Sequence, residues 1–160
     1  MKEAEQPLHD VAVLMLNTGM RPMEIFSLHS KHAFDDYVQV EEGKTVFARR
    51  TIPVNERVLE VLKRRKNGSW LFPGRFGGHI HQVRQHEELC RRLKFDFRLY
   101  DFRHTFGSRM TMAGVDLATL KELMGHSDIR ITMRYVHPTP EHKKLAIAKL
   151  TTPKVPPKKS

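Results

Sequence analysis

The 160-residue chain carries 28 Lys and Arg against 18 Asp and Glu, a formal charge of +10 with its ten histidines counted neutral. That length suits one compact core with ragged ends, and the charge points to a polyanionic partner, nucleic acid first. Cys90 is the only cysteine, which excludes an intrachain disulfide and a cysteine-based zinc site. No apolar run approaches the ~20 residues that span a bilayer and no secretory leader pattern is present, so the expectation is a cytoplasmic protein with no membrane partner.

Pro7 to Leu16 is apolar almost all round, the pattern of a helix buried on most faces, and Gly19 supplies a left-handed stop. Pro22 at a first helical position starts a short helix from Met23 to Leu28, with Arg21 pushed into an extended conformation at the corner between the two. Tyr37 to Val40 and Arg50 to Val54 carry the Val, Ile, Thr and Tyr of strands, with a loop around Glu41 to Lys44 between them. Asn55 caps a helix whose apolar face is Val58, Leu59 and Leu62, while Arg57, Lys63, Arg64 and Arg65 cover another face. Asn67, Gly68, Pro73, Gly74, Gly77 and Gly78 mark turns.

From His81 the pattern is helical nearly to the end: Val83 to Leu93, Tyr100 to Ala113, Asp116 to Met124, Asp128 to Tyr135 and Glu141 to Leu150. Gly114 and Gly125 serve as stops, and Asp116 and Ser127 as caps. Cys90 falls in the first of these helices, as a small buried or half-buried residue rather than a nucleophile. Thr151 to Ser160 is rich in proline and lysine and is expected to be a disordered basic tail. The fold class is mainly α with a small antiparallel β-sheet, an α+β domain. Among the histidines, His79 and His81 lie two apart and His29, His32 and His86 are scattered, without zinc-ligand spacing. No metal or other cofactor is expected.

Four separated segments carry the chemistry: Thr18-Gly-Met-Arg21-Pro-Met-Glu24; Gly43-Lys44 with Arg50-Thr-Ile-Pro-Val54; Leu99-Tyr-Asp-Phe-Arg103-His-Thr-Phe106; and Leu123-Met-Gly-His126-Ser followed by Thr132-Met-Arg-Tyr135. In this order and spacing they resemble the active-site boxes of the tyrosine recombinases of the phage-integrase type, over about His9 to Leu150. A lone Thr-Gly-x-Arg is weak evidence. Arg-His-Thr-Phe, then Gly-His-Ser 23 residues after Arg103, then Arg-Tyr with Tyr135 nine residues after His126, is specific as a set.

The resemblance implies the catalytic domain of a site-specific recombinase, which cleaves and rejoins DNA strands through a 3′-phosphotyrosine intermediate. Arg21 and Arg103 take the place of paired guanidiniums on the nonbridging phosphate oxygens, which their planar geometry matches with parallel hydrogen bonds. Tyr135 takes the place of the nucleophile, conserving the energy of the broken bond so that rejoining needs no ATP. His126 takes that of a donor to the same oxygens, although a histidine near the C-terminal dipole of the Asp116 helix is also sensible there. Lys44 resembles the general acid that protonates the departing 5′ oxygen.

The chain departs from the pattern at Tyr100, three residues before Arg103, where the family usually has His or Lys. A phenol is a poor general base at neutral pH, so Tyr100 is assigned either a hydrogen bond to the phosphate or a proton relay. His104, about 100° round a helix from Arg103, reads as a structural residue beneath the site. The alternative to catalysis is a non-catalytic DNA-binding remnant of an integrase.

Family members also carry an N-terminal helical domain that clamps the other face of DNA. The chain begins just before the first box, so residues 1–150 are expected to form the catalytic domain, residues 151–160 a tail, and the N-terminal domain to be absent. The implied partner is double-stranded DNA, with four subunits on paired sites and a monomer in isolation. Glu141 to Leu150 either packs on a neighbouring subunit or folds back on its own domain.

Overall fold

The computed structural model describes residues 6–41, 49–76, 78–80, 84–94, 96–136 and 139–148. Gly77, the segment 42–48 with Lys44, the end of the last predicted helix at Leu150 and the basic tail lie outside the described residues. The elements run α1 (Gln6–Thr18), α2 (Pro22–Phe26), a 3-10 turn (Ser30–His32), β1 (Tyr37–Val40), β2 (Arg50–Pro53), α3 (Glu56–Arg65), α4 (Arg84–Leu93), α5 (Leu99–Met112), α6 (Leu117–Met124), α7 (Ile129–Met133) and α8 (Pro140–Ala148). This is the mainly helical fold with a two-stranded antiparallel sheet that the sequence implies. Tyr37 pairs with Pro53 and Val40 with Arg50, which puts Val38 and Ile52 opposite each other on the buried face.

The larger core forms around α1, whose Val11, Leu14 and Met15 are fully buried against Ile25 and Phe26 of α2, Val38 and Ile52 of the sheet, and Val58, Val61 and Leu62 of α3. Val61 joins the buried face of α3 while Leu59 is only half-buried. Each fully buried side chain of this size contributes roughly 1.5–3 kcal/mol over an exposed one, so this cluster dominates the hydrophobic stabilisation. A smaller cluster holds Phe106 of α5 with Leu120 and Met124 of α6, and Tyr135 packs against it.

One buried charge in α1 was not expected from its apolar pattern. Asp10 is fully buried and accepts hydrogen bonds from Arg64 Nη2 at 2.5 Å, Arg65 Nε at 2.6 Å and Gln6 Nε2 at 2.9 Å. Burial would raise this carboxyl, but the Arg64, Arg65 and Gln6 hydrogen bonds outweigh that and hold it below the ordinary value. Two residues of the basic face of α3 therefore clamp α1 rather than only facing water.

Candidate active site

The site is built on the corners between helices. Arg21 precedes Pro22 and is extended, with φ −73° and ψ 153°, at the N-cap of α2. That conformation lets its backbone N–H donate to Glu24 Oε2 at 2.8 Å while its Nη1 donates to Oε1 at 2.7 Å and its Nη2 to the Gly125 carbonyl at 3.0 Å. From β2, Arg50 approaches the same carboxylate, with Nη1 3.1 Å from Oε1 and Nη2 2.8 Å from Oε2, and Nε donates to the Leu123 carbonyl at 2.7 Å. Glu24 is 8% exposed. Burial alone would raise its carboxyl, but hydrogen bonds and charge from Arg50, with the Arg21 backbone and side chain, hold it below the ordinary value.

Arg103 of α5 is the largest fully buried side chain. Its Nη1 donates to the Gly19 carbonyl at the end of α1 and its Nη2 to the Met124 carbonyl at the end of α6, at 2.6 Å, so one guanidinium ties three helices together. Its buried Nε–H has no partner among the described residues. Two of five N–H donors are thus committed to helix-end carbonyls. Burial and then the charge of Arg21 pull this guanidinium down to about 10, which leaves it charged at neutral pH.

Gly125 ends α6 in the left-handed conformation, φ +63°, and a Cβ there would stand 2.8 Å from Arg50 Nη1. The turn delivers His126, 4% exposed, whose Nδ1 lies 2.9 Å from Thr132 Oγ1 and whose backbone N–H donates to the Lys121 carbonyl. Burial, followed by the positive charges of Arg103, Arg21 and Arg50, lowers the His126 imidazole to about 4, so it is neutral at physiological pH. A recess of about 380 Å³ opens beside it, lined in part by Arg49, Arg50 and Lys121.

Helix α7 is shorter than the predicted Asp128 to Tyr135. Its cap is Asp128, whose carboxylate accepts the Arg130 N–H at 2.8 Å, rather than Ser127, because a side-chain acceptor at the N-cap reaches the unpaired N–H two residues on. Tyr135 therefore sits on the turn after the helix, its carbonyl accepting from Thr111 Oγ1 of α5 at 3.0 Å. Its ring lies parallel to that of His126, centroids 6.4 Å apart. Burial raises the phenol above its ordinary value, against the lowering charge of Arg103.

The Tyr135 hydroxyl lies 2.9 Å from Nδ1 of His104. This corrects the sequence reading of His104 as a structural residue beneath the site: it is exposed, on α5, and touches the phenolic oxygen. The 100° turn from Arg103 was read correctly, but Tyr135 packs over Gly107, one turn along from His104, and so meets the face of α5 that carries this histidine. Arg103 faces the buried corner and His104 faces the tyrosine.

The structure thus brings together Arg21, Arg103, His126 and Tyr135. Tyr100 stands at the edge, 40% exposed, its ring edge-on to His104 at 5.1 Å and 5.9 Å from the Arg103 guanidinium. Lys44 is outside the described residues. Sequence reasoning missed Glu24, Arg50 and Gly107 as parts of the site, although the first two fall inside quoted motifs. Among the described residues no group of three His, Cys, Asp or Glu side chains converges as a metal site, and no helix is long and apolar enough to cross a membrane.

Comparison with known proteins shows the family and the fold. Residues 1–142 match the phage integrase family. The integrase of Escherichia phage 186 is 31% identical over 135 residues, covering 84% of this chain and 39% of that protein. Among solved structures, the catalytic domain of bacteriophage HP1 integrase superposes with a TM-score of 0.66 at 25% identity, over 88% of this chain and 80% of that one. The Tn1549 transposon integrase, solved in complex with circular intermediate DNA, shares the fold with a TM-score of 0.76 at 24% identity, over 94% of this chain and 62% of that one. The chain spans less than half the length of the curated relatives it matches.

Proposed function

Since this chain belongs to the phage integrase family, we propose that it is a site-specific recombinase domain that cleaves and rejoins double-stranded DNA through a covalent bond between Tyr135 and a 3′ phosphate. The observation that carries this reading is the position of the Tyr135 phenol, held between the rings of His126 and His104 beside the Arg103 helix. Three guanidiniums converge here around the single carboxylate of Glu24, a field that favours a phosphodiester.

Arg21, one third exposed, presents its guanidinium to a nonbridging oxygen, and neutral His126 donates to the same oxygens when Nδ1 accepts from Thr132 and Nε2 carries the proton. Arg103, fully buried with two of its donors on helix-end carbonyls, contributes its charge across the corner. Removing one such donor from the transition state costs ~3–4 kcal/mol, roughly 100- to 1000-fold in rate. Lys44 is the general acid for the 5′ oxygen, and Tyr100 borders the phosphate. Leu145 and Ile147 of α8, both more than 60% exposed, suit packing on a neighbouring subunit in a tetramer on paired sites.

The test is trapping of a denaturant-resistant protein–DNA adduct on nicked duplexes drawn from the sequence flanking this gene. An adduct with the native chain, lost in Tyr135→Phe, supports the reading. No adduct from the native chain, with a full-length relative succeeding on its own site, favours a non-catalytic DNA-binding remnant.

A further inference from the structure

We propose that His104 is the proton acceptor for Tyr135, taking on, one turn along the same face of α5, the general-base role that Tyr100 cannot fill. The inference rests on the functional reading above and concerns a residue which that reading leaves without a role.

Three observations carry it. Nδ1 of His104 is 2.9 Å from the Tyr135 hydroxyl, within the range for direct proton transfer. His126, the other histidine against the same ring, directs its Nδ1 to Thr132 and lies parallel to the tyrosine ring rather than edge-on to its hydroxyl. His104 is exposed, so its Nε2 can keep a proton bonded to water while Nδ1 accepts.

The remaining groups sharpen the assignment. Burial raises the Tyr135 phenol, so the nucleophile holds its proton at neutral pH and needs an acceptor. His126 is pulled down to about 4 and is a weak acceptor. The groups that face the His104 ring are Tyr100 on α5 and Tyr135 after α7, with Arg103 and Arg134 supplying positive charge around the phenol. That charge favours phenolate as the proton leaves.

The step balances. The Oη–H proton passes to Nδ1 as Oη forms its bond to phosphorus; the bond from phosphorus to the 5′ oxygen breaks; and that oxygen takes its proton from the general acid. In rejoining, the 5′ hydroxyl attacks phosphorus and gives its proton back to the conjugate base of the general acid, while the imidazolium returns its proton to Tyr135 as the phosphotyrosine bond breaks.

The experiment measures single-turnover adduct formation on nicked duplex as a function of pH, for the native chain and His104→Ala, with and without added imidazole. Alanine on an exposed helix position keeps the fold, which the thermal melt checks. The expected result is a 100- to 10,000-fold slower rate, loss of the native fall in rate toward acid pH, and recovery of at least about tenfold with imidazole. A rate within about threefold of native, or a loss that imidazole does not relieve, overturns the assignment while leaving Tyr135 as nucleophile. Failure of the native chain itself to form an adduct removes the functional reading and this one with it.

Discussion

Gly107 lies directly against the ring of Tyr135: a Cβ at this position would stand 2.8 Å from the ring's Cε1 and Cζ. The gap left by the missing side chain in the third turn of α5 is the space the tyrosine occupies. Gly107→Ala is therefore expected to push the phenol away from His104 and out of line with the phosphate. A displacement of about 1 Å at a reacting group costs on the order of 100-fold in rate. Adduct formation should fall by that order, while overpacking lowers stability by about 1–3 kcal/mol in urea unfolding.

Glu24 holds Arg21 and Arg50 with both carboxylate oxygens; Glu24 and Arg50 are almost fully buried, Arg21 one third exposed. Glu24→Gln keeps the shape and removes the charge, leaving two guanidiniums without their shared anion. Breaking a buried ion pair on one side typically costs about 3–5 kcal/mol, and denaturant unfolding is expected to show a loss of that size. Glu24→Gln should also let Arg21 stray from the phosphate, lowering the adduct rate further than the stability loss alone explains.

The buried His126 makes stability depend on pH. Its folded value of about 4 lies below the ordinary histidine value of 6.5, so between these the unfolded chain binds more protons than the folded one. Stability is complete above about 6.5, falls as pH drops through this window, and loses on the order of 3 kcal/mol by pH 4. Glu24 acts in the same direction at the acid end: its lowered carboxyl contributes stability that is present above its ordinary value and lost as pH falls through the folded one. Urea midpoints of the native chain and His126→Gln, taken from pH 7 to 4, should show the steeper native slope disappear in the variant.

The sequence made the corners legible because they are local. Pro22 dictates the extended Arg21, Asn55 and Asp116 cap their helices through their own side chains, and the left-handed Gly125 ends α6. The Val, Ile, Thr and Tyr of Tyr37 to Val40 and Arg50 to Val54 were enough to place the sheet, which forms over Tyr37–Val40 and Arg50–Pro53. What escaped depends on approach between distant segments. Asp10 reads as a polar interruption of an apolar helix until Arg64 and Arg65 arrive from 54 and 55 residues away. Arg50 reads as a strand-end charge until α2 brings Glu24 to it. His104 was misplaced because its role depends on the side from which Tyr135 returns, and α7 ends two residues before that tyrosine rather than carrying it.

The measurement that tests the central claim most directly is mass spectrometry of the trapped adduct after nuclease and protease digestion. The chain has three tyrosines, Tyr37, Tyr100 and Tyr135, so the modified peptide identifies the nucleophile. The account predicts a nucleotide mass on the peptide containing Tyr135, joined through a 3′ phosphate, with a free 5′ hydroxyl on the released strand. The nucleotide on Tyr100, or an adduct of equal yield in Tyr135→Phe, would contradict it.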